Sequence, residues 1–319
     1  MALSSARCKT LLGWYGEHAR RLPWRDTTDA YHIWISEIML QQTQVNTVLP
    51  RYAAWFDQFP SIQALADADE DRVMKAWEGL GYYRRARYIH RAAKQIVAEH
   101  QGQFPSDFAA IMALPGIGRS TAGAISSFSF GTATPVLDAN VKRVLQRWSK
   151  ADTTEKTLWL LAQQAIDCST DPANWNQAMM ELGAVICTAR CAHCMHCPLS
   201  ASCPSAFAVE GGKTAAKTTS VKDVHWQVNL HICPQKGIWL VKRPASGIWA
   251  GLWSPPIIEI EALAERKPDY IHLLTHRRLH LYSERITAAP GGEGMWVSSL
   301  ADYAMPTGIH RLLQSTGVC

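Results

Sequence analysis

The chain has 319 residues, 47% hydrophobic and 18% charged, with a formal net charge of +5. That composition excludes a disordered or low-complexity protein, and the length predicts two domains. With no apolar run of about 18 residues and no small-residue cleavage site near the N-terminus, no membrane contact and a cytoplasmic location are expected; the positive balance leans toward an anionic partner.

Residues 1–206 read as helices, because apolar positions recur at three and four between Gly, Pro and Asp punctuation. The first strong segment is predicted over 31–44, YHIWISEIMLQQTQ. There Glu37 shares a helix face with Ile33, Trp34, Leu40 and Gln41, so a partly desolvated carboxylate is expected. Desolvation raises a carboxyl pKa and makes a general acid near neutral pH; the alternative is a carboxylate turned outward to water.

A second helix is predicted over 82–100, with Arg84, Arg85, Arg87, Arg91 and Lys94 on a basic face. Such a face either meets phosphates or is simply solvated. LPGIGRSTAGAI, Leu114 to Ile125, follows as a turn between two helices. Gly116 and Gly118 allow positive φ and close backbone approach, and the free N–H groups of the next helix can hold a phosphate. This predicts a helix-hairpin-helix clamp, against the plainer alternative of an αα-turn.

In TPVLDANVKRVL, Asp138 is expected as a helix N-cap. Bonds from helix N–H groups would keep it ionised, so capping and a role facing a developing cation are compatible. Lys142, Arg143 and Arg147 add basic character to the same segment. A further helix is predicted over 172–186, with Asp171 as N-cap and Pro172 at the first helical position, where a missing N–H has no cost.

Five cysteines then fall within CTARCAHCMHCPLSASC, Cys187 to Cys203. Clustered cysteines in a reducing compartment are more often metal or cluster ligands than disulfides. Two ligand sets remain open: Cys191, Cys194, Cys197 and Cys203, or Cys187 with the last three. Zinc normally joins two short knuckles across a longer loop, which is absent here, so an iron–sulfur cluster is favoured. Residues 207–222 are small, polar and aperiodic, as a linker is, and beyond them HWQVNLHI, GIWLVKR and LHLYSERI alternate like strands.

Taken in order, SEIMLQQTQV, GLGYYRRAR, LPGIGRSTAGAI, VLDANVKRVL, NQAMMELGA and the spacing C-x6-C-x2-C-x5-C resemble the MutY-type adenine DNA glycosylases of the helix-hairpin-helix superfamily. The resemblance implies that Cys187, Cys194, Cys197 and Cys203 hold a [4Fe-4S] cluster and that Cys191 is spare. It implies a mostly α helix-hairpin-helix glycosylase domain, with a six-helix module over about 30–134 and a cluster module from 1–29 and 135–206. A smaller α+β Nudix-like domain over 223–319 would read the lesion, since VKRPASGIWAGLWSPP and LLTHRRLHLYSE resemble its counterpart. No glutamate-rich helix follows Trp253, so nucleotide hydrolysis is not expected.

The activity implied is excision of adenine opposite 8-oxoguanine or guanine in double-stranded DNA, by a monomer that associates with the nucleoid when bound. Related endonuclease III-type enzymes carry a lysine nucleophile in the hairpin, where this chain has Ser120, and a hydroxyl cannot form the imine needed for strand cleavage. By carry-over, Glu37 protonates adenine N7, Asp138 stabilises the sugar cation, and Asn140 positions Asp138 or water. Gln42 and Tyr82 fill the gap left by the flipped base, Arg25 and Glu181 line the adenine pocket, and Leu274, Thr275 and His276 meet the lesion. Gly116, Gly118, Arg119, Lys142 and Arg143 are expected at the DNA backbone. A redox protein would need only the cluster, and a DNA-binding module only the hairpin; neither requires both carboxylates.

Overall fold

A computed structural model describes residues 5–149, 154–208, 221–263 and 265–318. It divides into two compact units, Met1–Asp67 with Tyr88–Ala216, and Ala68–Arg87 with Lys217–Cys319. Most of the expected linker, 209–220, lies outside the described residues.

The first unit is helical: α1 (Ser5–His18), α2 (Ala30–Leu40), α3 (Val45–Gln58) and α4 (Ile62–Asp67) precede α5 (Glu70–Ala76), which belongs to the second unit. After them come α6 (Arg84–His100), α7 (Phe108–Ala113), α8 (Arg119–Phe130), α9 (Ala139–Ser149), α10 (Glu155–Ile166) and α11 (Pro172–Glu181). Asp29 caps α2 by accepting the Tyr31 and His32 N–H groups, and Ile33, Trp34, Ile35, Ile38 and Met39 bury the helix on nearly every side. The helix stops at Leu40 rather than running to 44, because Gln42 takes a left-handed φ of 55° that an α-helix cannot continue. At the other end, Asp171 accepts the Asn174 N–H and starts α11, which runs into a π-type turn over Leu182–Ile186.

The extended stretch before Asp138 is pinned between α8 and α11. The buried Asn176 side chain accepts the Val136 N–H at 3.1 Å and donates to Ser127 Oγ and the Thr134 carbonyl. A Cβ at Gly123 would collide with the Pro135 carbonyl, so α8 and this stretch touch through backbone. In the hairpin between α7 and α8, Gly116 has φ 80° and faces the Tyr88 side chain. Gly118, which could likewise have taken a positive φ, is an extended N-cap at −93° and does not use that freedom.

In the second unit, β1 (Lys222–Leu230), β2 (Ile232–Cys233), β3 (Gly237–Lys242), β4 (Trp253–Ser254), β5 (Ile257–Ile260), β6 (Tyr270–Leu273), β7 (Arg277–Arg285) and β8 (Met295–Val297) precede α12 (Thr307–Ser315). The larger sheet has the order β5-β1-β7-β6, with β1 parallel to β7. Val224, Trp226 and Val228 alternate on the buried face of β1 and meet Leu279, Leu281, Ile309, Leu312 and Leu313. Residues 68–87 join this unit although the six-helix reading of 30–134 assigns them to the helical module. Polar ties explain the difference: Asp71 accepts from Lys242 Nζ at 2.6 Å and Trp253 Nε1 at 3.3 Å, Lys75 donates to the Tyr303 carbonyl, and Glu78 pairs with His310 at 2.9 Å. On α6, Arg85 and Arg87 also turn inward, to the Leu80 and Ala250 carbonyls, so the basic face is narrower than its spacing suggests. Among the described residues no helix is long and apolar enough to cross a membrane.

Candidate active site

One cavity of about 430 Å³ collects side chains from distant parts of the first unit: Trp24 and Arg25, Ser36, Glu37 and Leu40 from α2, Gln44 and Asn46, Asp138 and Asn140, and Gln177 and Glu181 from α11. Five of the expected residues, Arg25, Glu37, Asp138, Asn140 and Glu181, thus meet in one place. Burial, reinforced by the charge of Asp138 and opposed by Arg25, pushes the Glu37 carboxyl up to about 8. The indole beside it in the cavity wall is Trp24 rather than Trp34, whose ring packs instead on Tyr31 and Phe104.

Asp138 begins α9 and accepts the Val141 N–H at 2.7 Å and the Asn140 side-chain amide at 3.3 Å. These bonds do not hold it below the ordinary aspartate range, as expected from its capping position. Burial outweighs them and raises it, though Glu37 is raised the further. Asn140 is held in turn by Arg143, which donates to Asn140 Oδ1 at 2.8 Å and to the Gly183 and Cys187 carbonyls. A Cβ at Gly183 would lie 2.7 Å from the Asn140 Cβ, so the glycine of NQAMMELGA is what admits this contact.

Glu181 is fully buried, and burial alone would raise its pKa. Arg20 donates to it from Nε and Nη2, both at 2.7 Å, and Arg25 Nη2 donates at 2.8 Å; together they hold it at about 2. Arg20 and Gln177 were not anticipated. Gln177 stands four residues before Glu181 on one face of α11, a spacing that helical periodicity does reveal. Nothing in the local pattern around Arg20 separates it from Arg21.

The remaining expected residues lie elsewhere. Ser120 Oγ accepts the Leu137 N–H at 3.0 Å and so helps to pin the stretch ahead of Asp138. Arg119 stacks over Trp159 at 4.1 Å, Lys142 pairs with Glu155 at 3.0 Å, and Arg143, expected at the DNA backbone, is turned inward as described. Gln42 and Tyr82 are both exposed and both left-handed, φ 55° and 46°, a conformation that costs non-glycine residues on the order of 1 kcal/mol. Within the second unit, the Tyr82 hydroxyl is 3.0 Å from Thr275 Oγ1. Leu274, Thr275 and His276 form the tip of the β6–β7 hairpin, closed by the Leu274 N–H to Arg277 carbonyl bond. Thr275 and His276 are exposed there, whereas Leu274 packs against the core of the unit.

Cys187, Cys194, Cys197 and Cys203 line a single small cavity with Ile186 and Arg147, whose Nη1 donates to Cys187 Sγ at 3.1 Å. Cys191 is exposed and outside that lining. Among the described residues no three His, Cys, Asp or Glu side chains converge as tightly as a single metal ion requires.

The family model described as "HhH-GPD superfamily base excision DNA repair protein" matches residues 35–164, and that described as "NUDIX domain" matches residues 228–315. Among curated proteins, the adenine DNA glycosylase of Buchnera aphidicola subsp. Baizongia pistaciae is 40% identical over 257 residues, 78% of this chain and 72% of the relative. That of Buchnera aphidicola subsp. Schizaphis graminum is 35% identical, covering 95% of this chain and 96% of the relative. The Mus musculus adenine DNA glycosylase is also 35% identical, with 95% and 76% covered. A thermostable thymine-DNA glycosylase structure aligns with TM-score 0.60 and 27% identity over 63% of this chain and 95% of that one. A non-covalent endonuclease III–DNA complex aligns with TM-score 0.54 at 19% identity, covering 64% of this chain and 97% of that one, a likeness of fold.

Proposed function

From the premise that this chain belongs to the adenine DNA glycosylase family, we propose that it excises adenine paired with 8-oxoguanine or guanine and leaves an abasic site. Its partner is DNA, and adenine excision in DNA repair is the activity of the family. The observation that carries the finer reading is the shared cavity of Glu37 and Asp138, two carboxyl groups in one site, both raised by burial and Glu37 to about 8.

Adenine leaves poorly as an anion, so cleavage of its N-glycosidic bond needs a proton on the ring while positive charge develops on the sugar. A carboxyl raised to about 8 is mostly protonated at neutral pH, which makes Glu37 the donor to adenine N7. Asp138, whose carboxylate accepts the Val141 N–H and the Asn140 amide, faces the oxocarbenium-like sugar as the anion. Asn140 and behind it Arg143 orient Asp138, and Arg20 and Arg25 keep Glu181 an anion, leaving Glu37 as the proton source. The base reaches this cavity only by flipping out of the duplex, with Gln42 and Tyr82 in the vacated stack.

Ser120 has no amine, and its hydroxyl is engaged by the Leu137 N–H, which supports base removal without lyase chemistry. Cys187, Cys194, Cys197 and Cys203 around one cavity fit a [4Fe-4S] cluster, with Cys191 spare. Such a cluster would tie four points of the Cys187–Cys203 segment together and so order it. Thr275 and His276 at the hairpin tip read the base opposite adenine. The enzyme acts as a monomer, cytoplasmic and on the nucleoid when bound.

The test is incubation of the purified protein with an 8-oxoguanine:adenine duplex followed by hot alkali. A strand break at the adenine position, dependent on alkali, is expected; an intact strand would overturn the proposal.

A further inference from the structure

The end of the larger sheet beside the Leu274–His276 tip carries two cations that the catalytic argument does not use. β1 and β7 run parallel, and their first residues, Lys222 and Arg277, are direct partners. Aligned residues of neighbouring strands send their side chains to one face, here the face of Val224 and Leu279. That face is core further along, but at this end both Lys222 and Arg277 are exposed.

The next rung is different in charge. Asp223 is shared by Arg278 at 3.6 Å and His280 at 2.7 Å, so it is compensated within the sheet. Among the described residues, no carboxylate comes within ion-pair distance of Lys222 or Arg277. Like charges directly opposite each other on neighbouring strands are unfavourable, which leaves the pair short of an anion. The rung is also tied to the tip: the Lys222 N–H donates to the His276 carbonyl at 3.1 Å, and Thr275, one residue earlier, meets the Tyr82 hydroxyl.

We infer that Lys222 and Arg277 grip the phosphodiester backbone of the strand whose base meets the Leu274–His276 tip, a site that rests on the proposed lesion-reading role of that tip. Phosphate contacts carry no sequence information but set register. A clamp one rung behind the tip would hold the strand so that Thr275 and His276 stay on the base opposite adenine. Arginine supplies a planar fork for two phosphate oxygens and lysine a point charge, so one phosphate or two successive ones can be held.

The experiment measures binding of an 8-oxoguanine duplex, with a non-cleavable adenine analogue opposite the lesion, across a salt series. The Lys222→Gln/Arg277→Gln protein is compared with parent and with a Lys9→Gln/Arg311→Gln control that removes two exposed charges elsewhere. Each phosphate contact contributes about 0.9 to the slope of log K against log salt, so the slope should shrink by about 2 and affinity at about 0.1 M salt should fall roughly tenfold or more. The control should keep the parent slope. An unchanged slope in Lys222→Gln/Arg277→Gln, or an equal drop in the control, would overturn the clamp. If the parent itself fails to excise adenine from the mispair, the functional reading fails instead; excision with an unaltered slope sinks the clamp alone. Both side chains are exposed, so thermal unfolding monitored alongside should match the parent, and a marked loss would also count against a surface clamp.

Discussion

Glu37 and Asp138, 101 positions apart in the chain, line one cavity, and the charge of Asp138 adds to burial in pushing Glu37 up to about 8. Two like-charged groups in one poorly solvated site cannot both ionise easily. Burial raises Asp138 as well, but the Val141 N–H and the Asn140 amide donate to its carboxylate and counter that rise.

Glu37→Gln removes the acidic proton while keeping shape. Adenine excision in single turnover should slow by at least about 10²-fold, with mispair binding retained. In the parent, the rate should fall as pH rises through about 8, since the active form is the protonated one. A Glu37→Gln rate equal to the parent's would remove the proton donor from the mechanism.

The same residue makes a stability prediction of definite sign. A carboxyl raised from 4.5 to about 8 holds a proton in the folded state that the unfolded chain has released, so folding weakens as pH rises through that window. Glu37→Gln should therefore unfold at a higher temperature than the parent at pH 8, with the gap closing toward pH 4.5. Thermal melts at the two pH values decide it; a constant gap would mean that Glu37 is not desolvated.

Glu181 works with the opposite sign. Held at about 2 by Arg20 and Arg25, it stabilises the fold fully above the unfolded value of 4.5 and loses that contribution as pH falls toward 2. Glu181→Ala strands two guanidinium groups, one of them mostly buried, and should cost about 3 kcal/mol. Urea titrations at pH 7 and pH 3 should show the difference between parent and variant narrowing in acid.

Cys194→Ser and Cys197→Ser should lose iron and visible absorption, whereas Cys191→Ser should retain both, because Cys191, alone of the clustered cysteines from Cys187 to Cys203, stands outside the common cavity. Iron and sulfide assays on the purified proteins check this. A Cys191→Ser protein that alone lost iron would require the other ligand set.

Ser120→Lys should introduce some strand cleavage by supplying an amine. It also removes the acceptor for the Leu137 N–H, so a loss of about 1 kcal/mol in stability should accompany the gain, and Ser120→Ala should show the stability loss alone. Strand scission on gels and melting temperatures separate the two effects; efficient scission by the parent would undo the serine argument.

Much of this was readable from one chain because the signals are local. Apolar spacing marks α2 and α6, Asp171 and Pro172 announce α11, and period-two alternation marks β1, β3 and β7. The close spacing of the cysteines likewise restricts them to one short segment whatever the fold. Long-range geometry decided the rest. The strip of α2 behind Glu37 became core, and the indole of the cavity arrived from Trp24. Asp138 is an N-cap, as its position suggests, yet burial raises it, because desolvation depends on every wall of the cavity and not on the helix it caps. Arg85 and Arg87 share a basic helix with Arg91 but turn to carbonyls supplied by the folded second unit. Residues 68–87 join segments that lie more than 150 positions later, a strand through Asp71, a loop through Lys75 and a helix through Glu78. Periodicity reports which residues are apolar and how they repeat; which polar group finds which partner is settled only when distant segments close on one another.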